Sequence, residues 1–206
     1  KDHRFSLSYQ SKITLEFDGD LTQAVPTATG PVTRRSGGSL ETELPDILEF
    51  SGFHQLIDDF AFHYSIRRTG WDSFDKLEAF DSNGELVFSK GQNFVNTIRY
   101  ALGVTYTLSD VLTLRAGLAL DEAAADELRT IAIPDSDRLW YSAGATYKIN
   151  QASTIDLGLS YINGDSVTIE EKDSVLEGRV PEGADEWVFE IEANAILIGL
   201  GFNYQF

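Results

Sequence analysis

The fold class is decided by the last eleven residues, which read ILIGLGFNYQF from position 196 to position 206. Apolar side chains occupy every even position from Ile196 to Phe206, and after Leu197 the odd positions are small or polar. A period of two is the pattern of a β-strand whose two faces meet different surroundings. Eleven residues is also about the length that a tilted β-strand needs to cross a membrane.

The same alternation recurs along the chain, at residues 4–17, 60–67, 98–108, 112–120, 139–147 and 155–161. A soluble β-sandwich also alternates, so the position of the charges matters. The charged residues Arg4, Lys12, Arg99, Arg115 and Asp156 all fall on the polar side of these segments. Charge is costly against lipid and is tolerated in a lumen, so this pattern favours a transmembrane β-barrel.

The connections between these segments alternate in length. Short turns are predicted near 54–58, 109–110 and 150–153, and longer polar loops at 18–41, 121–136 and 163–186. Less regular segments at 44–53, 71–80 and 86–94 are interpreted as strands above the membrane. Short turns on one side and long loops on the other are typical of outer-membrane barrels. We therefore predict an all-β, antiparallel transmembrane barrel domain over residues 1–206, with about eight strands and both chain ends periplasmic.

Composition excludes several function classes. The chain has no cysteine, which excludes thiolate metal sites and cysteine nucleophiles. Its net charge of -17 repels the phosphates of nucleic acids. No run of 18 apolar residues is present, so no transmembrane helix is expected. Nothing in the sequence points to a cofactor or a resident metal.

Glycines recur on the predicted inner face, at positions 103, 117, 144, 158, 199 and 201. An eight-stranded barrel normally fills its own interior with side chains. Glycines on the inner face carry no side chain and so leave space inside the barrel for a plug or a ligand. Glycines can also serve only to relieve strand curvature. The residues alone leave both interpretations open.

Several short motifs are spaced along the chain: Leu44-Pro45-Asp46, Phe62-His63-Tyr64-Ser65, Phe88-Ser89-Lys90, Ile98-Arg99-Tyr100-Ala101-Leu102-Gly103, Ile133-Pro134-Asp135-Ser136-Asp137-Arg138, Ser142-Ala143-Gly144 and Phe202-Asn203-Tyr204-Gln205-Phe206. Together they resemble the FadL-type long-chain fatty acid transporters of the outer membrane. Their order and spacing agree over nearly the whole chain. The resemblance implies a fourteen-stranded barrel with an N-terminal plug, of which this sequence is the C-terminal half. The plug and the first strands are then supplied by another chain or by a further segment.

The resemblance also implies a function, namely passive uptake of long-chain fatty acids or similar hydrophobic compounds with no enzymatic step. The ligand is captured by an apolar outer surface, enters an internal pocket and leaves through a lateral opening. Membrane lipid and lipopolysaccharide are the expected surroundings. Two alternatives stay open: uptake of aromatic hydrocarbons such as toluene, and a self-contained eight-stranded structural or adhesive barrel.

The predicted ligand-binding residues are Lys90, Arg99, Arg115, Trp140, Ala195 and Leu197. By resemblance, Lys90 holds the ligand's carboxylate, yet its parity relative to Ile98 directs it towards lipid unless a bulge or bend intervenes. Arg99 and Arg115 either tune the pocket or form a lumen network with Asp121 and Glu16. The other three residues face inward by parity. Ala195 and Leu197 are expected to line the apolar pocket, and Trp140 to touch either a plug or an acyl chain.

Two further patterns are interpreted as structural. His63 and Ser65 share a face, but no acidic residue is spaced to orient the histidine for catalysis. Acidic pairs at 121–122, 126–127 and 135/137 lack the spacing of a calcium loop. They are expected to be solvated or bridged to lipopolysaccharide by cations.

Overall fold

The computed structural model describes residues 2–27, 30–74, 76–91, 93–125, 129, 131, 133–172 and 181–205. Within these ranges, the side chains at positions 21, 23–27, 31, 34 and 90 lie outside the description. Helix in the described residues is limited to the 3₁₀ turn Trp71–Ser73. No described helix has the length and apolar character needed to span a bilayer.

Strands make up most of the described chain. In chain order they are β1 (His3–Gln10), β2 (Ile13–Thr27), β3 (Gly30–Leu44), β4 (Ile47–Ile57), β5 (Phe60–Thr69), β6 (Lys76–Asp81), β7 (Leu86–Gly91), β8 (Thr97–Ser109), β9 (Leu112–Asp121), β10 (Arg138–Lys148), β11 (Ser153–Gly164), β12 (Val167–Lys172), β13 (Glu186–Ile191) and β14 (Asn194–Tyr204).

Eight strands form one antiparallel sheet in the order β1-β4-β5-β8-β9-β10-β11-β14, which we call the main sheet. Short turns join β4 to β5, β8 to β9 and β10 to β11, as predicted, although the first lies at 58–59 rather than at 54–58. The connections from β1 to β4, from β5 to β8 and from β11 to β14 carry the remaining six strands away from this sheet. Its edges, β1 and β14, are not paired with each other in the described residues, so the sheet is open.

The strand register gives the main sheet two distinct faces. One cross-strand row of the apolar face contains Phe5, Gly52, Tyr64, Leu102, Leu118, Tyr141, Tyr161 and Ile196. The matching row of the polar face contains Arg4, Phe53, His63, Gly103, Gly117, Ser142, Ser160 and Leu197. The predicted inward glycines all share this polar face.

The apolar face is uncovered. Leu7 is 71% exposed and Leu200 is 78% exposed, at opposite edges of the main sheet. A soluble sandwich would bury these side chains against a second sheet. Among the described strands, the register places one charge on this face, Arg68 at the end of β5 near the long connections. A broad apolar face that no described layer covers is the outer surface of a membrane barrel.

The remaining strands form two smaller sheets: the four-stranded sheet β2-β3-β6-β7, here called the outer sheet, and the hairpin β12-β13. The loop predicted at 18–41 is therefore wrong, because it lies within the long hairpin of β2 and β3. Similarly, the loop predicted at 163–186 contains β12. The alternation at 4–17 is also divided at residues 11–12, where the chain passes from the main sheet to the outer sheet.

Residues 44–53 were expected to project above the membrane, and this prediction is wrong for most of them. From Ile47 onwards they belong to β4, which pairs with β1 and β5 in the main sheet. Pro45 lies before the strand, and Glu49 takes the polar face, where it pairs with Arg67. Its charge is thus compatible with a membrane strand. Both β6 and β7, in contrast, lie outside the main sheet as predicted.

Candidate ligand-binding pocket

A row of charged residues crosses the polar face of the main sheet near the long connections. Cross-strand pairing aligns Glu49, Arg67, Arg99, Asp121 and Arg138 on β4, β5, β8, β9 and β10. Three arginines and two acids thus lie side by side on five neighbouring strands. This row is the polar base of a pocket.

The ion pairs in this row differ in tightness. Arg67 binds Glu49 at 2.6 Å. Asp121 instead lies between two guanidinium groups, 3.7 Å from Arg99 and 3.8 Å from Arg138. One carboxylate therefore serves two arginines at long range, which leaves donor capacity for a further acceptor.

Above this row lies a cavity of about 340 Å³. Its wall combines the three arginines with apolar side chains, including Trp71, Phe94 and Ile133. Trp71 meets Phe94 edge to face at 6.0 Å between ring centroids, and Phe74 stacks on Phe94 at 5.5 Å. A pocket with an aromatic wall and a cationic base suits an amphiphile that carries a negative head group.

Two acidic residues of the β9–β10 connection hold the rim of this cavity. Asp135 Oδ2 accepts backbone N–H bonds from Ala124 and Ala125, and Asp137 Oδ1 accepts one from Ala123. Asp135 also binds Arg138 at 3.2 Å. The motif at 133–138 therefore shapes the rim, and its carboxylates are occupied by backbone and arginine. The pair at 126–127 lies outside the described residues.

On the opposite rim, β5 is followed by a glycine that packs against a carboxylate. Gly70 N donates to Asp46 O at 2.9 Å, and the Asp46 carboxylate occupies the space that a side chain at position 70 would need. Arg68 binds the same carboxylate at 3.4 Å. The Leu44-Pro45-Asp46 motif thus anchors the start of β4 to the segment that carries Trp71.

The structure brings together two of the six predicted ligand-binding residues. The Arg99 guanidinium carbon lies 4.5 Å from the centroid of the Trp140 ring, within cation–π range. Trp140 Nε1 is buried and has no hydrogen-bond partner in the described part of the chain. As predicted, Arg99 also pairs with Asp121.

Arg115 faces the same side but belongs to a separate network. It lies on the strand next to Arg99 and donates to Thr146 Oγ1 at 2.7 Å, and Thr146 in turn donates to Asp156. Glu16, its suggested partner, lies on β2 in the outer sheet. The pairing of Arg115 with Glu16 is therefore wrong.

Lys90, Ala195 and Leu197 lie away from this pair. Ala195 and Leu197 are on β14 at the edge of the main sheet, on the polar face as predicted. Lys90 is on β7, opposite Leu77 of β6 in the outer sheet, and its side chain lies outside the description. Because the chain leaves the outer sheet before β8 begins, strand parity cannot be carried from Ile98 back to Lys90.

His63 contacts a hydroxyl group and an aromatic ring, as expected for a histidine with a structural role. Its Nε2 lies 2.9 Å from Thr105 Oγ1, and its ring meets Phe53 edge to face at 5.0 Å. Across the described ranges, no group of three or more histidine, aspartate or glutamate side chains is arranged to hold a metal ion.

Sequence reasoning missed the full set of residues at the pocket. Arg67 has the parity of the polar side within the alternating segment 60–67, and Arg138 belongs to the motif at 133–138, yet neither was assigned to the site. Phe94 and Trp71 lie outside the regular strands, where parity gives no direction. Cross-strand register brings the arginines together, and a single sequence does not encode it directly.

Comparison with known proteins agrees with the fold. Residues 1–206 match the family described as Outer membrane protein transport protein (OMPP1/FadL/TodX). The long-chain fatty acid transport protein of Escherichia coli (strain K12) is 37% identical over 218 residues, covering 100% of this chain and 46% of that protein.

Two solved structures share the fold at low identity. A Pseudomonas aeruginosa FadL homologue gives a TM-score of 0.82 at 20% identity, covering 98% of this chain and 49% of its own. The P. putida toluene transporter TodX gives a TM-score of 0.67 at 16% identity, covering 99% of this chain and 46% of its own. The chain spans about half the length of these proteins. By its match over every residue, it belongs to the OMPP1/FadL/TodX family of outer membrane transport proteins.

Proposed function

We propose that the barrel containing this chain takes up long-chain fatty acids, or similar hydrophobic compounds, by passive passage across the outer membrane. The family and the description of the Escherichia coli relative support this proposal. Binding and release suffice for such a passage, so no catalytic residue is assigned.

The observation that carries the proposal is the shared carboxylate at the base of the pocket. Arg99 and Arg138 lie 3.7 and 3.8 Å from Asp121, and Arg138 has a further acceptor in Asp135 at 3.2 Å. A fatty acid carboxylate entering between the two guanidinium groups would supply Arg99 with a closer acceptor than Asp121. Arginine suits this role because its planar donors match a carboxylate.

The apolar wall supplies the driving force. Transfer of an acyl chain from water against Trp71, Phe94 and Ile133 contributes about 0.8 kcal/mol per buried CH₂ group. Trp140, already stacked on Arg99, extends the apolar lining across the main sheet. Leu197 and Ala195, on the same face at β14, are proposed to line the path beyond, and Arg115 to lie beside it.

The outer sheet offers a first contact for the ligand. Its register aligns Phe17, Leu40, Ala79 and Phe88 in one apolar row across four strands. Phe17 and Phe88 remain 52% and 46% exposed. We propose that this row captures the acyl chain, and that Lys90 on the same small sheet contacts its carboxylate.

The test compares oleate with toluene in the full barrel. Arg99→Ala and Arg138→Ala should each weaken oleate binding about tenfold or more, because loss of a charge-assisted hydrogen bond costs about 1.5–3 kcal/mol. Lys90→Ala should also weaken oleate binding. The matched control is Arg35→Ala, which removes an exposed arginine of the outer sheet and should leave affinity unchanged. Unchanged oleate affinity in both pocket variants would exclude this pocket as the anchor.

A second candidate function is uptake of aromatic hydrocarbons. The ring cluster of Trp71, Phe74 and Phe94 favours it, since flat apolar ligands stack well on such walls. This function needs no cationic anchor. If toluene enters normally and oleate never competes with it, the aromatic assignment is preferred.

The partners follow from the open edges of the main sheet. Unpaired backbone groups are not tolerated in hydrocarbon, so the edge strands β1 and β14 each need a pairing partner in the bilayer. We propose that the remainder of the barrel supplies these strands, whether as a further segment or a separate chain. We also propose that the short turns and the C-terminus are periplasmic, and that the two smaller sheets lie among lipopolysaccharide.

A further inference from the structure

Two histidines face each other across the first strand pair of the main sheet. His3 on β1 pairs directly with His54 on β4, and their Nδ1 atoms lie 2.9 Å apart. The ring centroids are 5.1 Å apart with the rings inclined by 49°. Both side chains share the apolar face with Phe5, so this pair is separate from the ligand pocket.

Neighbouring rings fix this arrangement. The His54 ring stacks on Tyr64 at 5.6 Å and meets Phe5 edge to face at 5.3 Å. These contacts restrict the rotation of the His54 side chain, so its Nδ1 remains next to that of His3. A pre-oriented pair of imidazoles binds an ion at lower entropic cost than two mobile ones.

The register also places the pair at the level of the membrane interface. Three tyrosines on the apolar face, Tyr106 on β8, Tyr147 on β10 and Tyr204 on β14, lie near the short-turn side of the sheet. From β8 to β10, and again from β10 to β14, the tyrosine lies one cross-strand row closer to that side. Strand tilt produces such a drift around a barrel. From Tyr106 towards β4 and β1, the same shift of one row per two strands leads to the row that contains His54 and His3.

At the membrane interface, side chains with an aromatic ring and a polar atom are favoured, because the ring can contact hydrocarbon while the polar atom contacts water. Solutes in the aqueous phase can therefore reach the two imidazoles.

The distance between the two nitrogen atoms fits a shared metal ion. Imidazole nitrogens bind divalent transition metals at about 2.0–2.1 Å. Two such nitrogens at a right angle about the ion are then about 2.9 Å apart, as His3 and His54 are. A right angle between ligands is typical of square-planar or tetragonal sites, in which nitrogen ligands bind Cu²⁺ or Ni²⁺.

We propose that His3 and His54 form a two-histidine binding site for Cu²⁺ or Ni²⁺ on the lipid-facing rim of the barrel, with water completing the coordination. The bound ion links β1 to β4. The proposal does not depend on the transported ligand.

The test uses the full barrel without an affinity tag, in detergent, titrated with CuCl₂ and followed by calorimetry. Wild-type protein should bind Cu²⁺ at least tenfold more tightly than His3→Ala or His54→Phe. The phenylalanine variant keeps a ring against Tyr64 and Phe5, so its loss of affinity reports the missing nitrogen. The matched control is His63→Ala, which removes the third histidine of the chain, on the polar face, and should bind like wild type.

Electron paramagnetic resonance of the Cu²⁺ complex gives an independent readout. The spectrum should show coupling to two imidazole nitrogens in wild type and in His63→Ala, and to fewer in the His54→Phe variant. Equal Cu²⁺ affinity in wild type and in the doubly substituted protein would overturn the proposal. It would show that the 2.9 Å contact is an ordinary N–H···N hydrogen bond.

Discussion

The main sheet and the outer sheet are both built from alternating strands, but their two faces divide differently between apolar and charged residues. The apolar face of the main sheet continues across eight strands and carries Leu200 and Ile198 at 78% and 75% exposure. In the outer sheet, Glu16, Glu41 and Glu78 lie opposite one another on three strands. Like charges placed directly opposite each other are destabilising, so this face requires water.

Alternation therefore shows that a strand has two different faces, and it does not show which solvent each face meets. The distinguishing features are the width of the apolar row and the position of the charges. Lys76 binds Glu78 at 2.8 Å, which offsets part of the repulsion in the outer sheet. In the main sheet, the charged row lies on the face opposite the broad apolar surface.

The largest expected effect comes from placing a charge on the lipid face. Ile198 and Leu197 are neighbouring aliphatic residues of β14 that point to opposite faces. We expect Ile198→Arg to reduce the free energy of folding into a bilayer by about 2–4 kcal/mol. Leu197→Arg should cost less than about 1 kcal/mol, because its side chain enters the lumen. Denaturant titration of the full barrel in liposomes measures both, and equal costs would contradict the assignment of faces.

A smaller effect is expected from two matched glycines. A Cβ atom at Gly52 would lie 2.5 Å from the ring of Tyr64, whereas one at Gly19 in the outer sheet would meet nothing within 4 Å. Gly52→Ala should therefore destabilise the barrel by about 1–3 kcal/mol through overpacking. Gly19→Ala should change stability by less than about 0.5 kcal/mol. The same titration compares them, and a neutral Gly52→Ala would show that the Tyr64 ring moves aside freely.

The smallest effect is expected at an exposed ion pair of the outer sheet. Arg35 and Asp20 lie 2.6 Å apart, with 70% and 56% of their side chains exposed. Solvent screening limits such pairs, so Asp20→Ala should change the free energy of unfolding by less than about 0.5 kcal/mol. A loss above 1 kcal/mol in thermal or denaturant unfolding would indicate that this hairpin is more buried than its exposure shows.

Much of the main sheet was predictable because a period of two is a local signal. Parity alone placed Arg99 and Trp140 on one face, and the structure brings them within 4.5 Å. The same signal failed at residues 11–12, since alternation continues there while the strand changes its partners. Pairing partners depend on register between distant segments, which the local pattern does not contain.

The pocket was less predictable for a related reason. Its arginines come from β5, β8 and β10, and their convergence depends on cross-strand alignment. Its aromatic wall comes from irregular segments around Trp71 and Phe94, where no periodicity applies. For Lys90 the parity argument assumed a continuous strand up to Ile98, whereas the two residues belong to different sheets.

The central claim, that one face of the main sheet meets hydrocarbon, can be measured residue by residue. The chain has no cysteine, so single cysteines can be placed along β8 and β2 of the full barrel, spin-labelled and reconstituted in lipid. Accessibility to oxygen should peak at even positions from 98 to 108, and accessibility to a water-soluble nickel chelate at odd positions. Along β2, labels at positions 14–20 should favour the chelate throughout. If the even positions of β8 are instead closed to oxygen, they are packed against protein, and the membrane assignment is wrong.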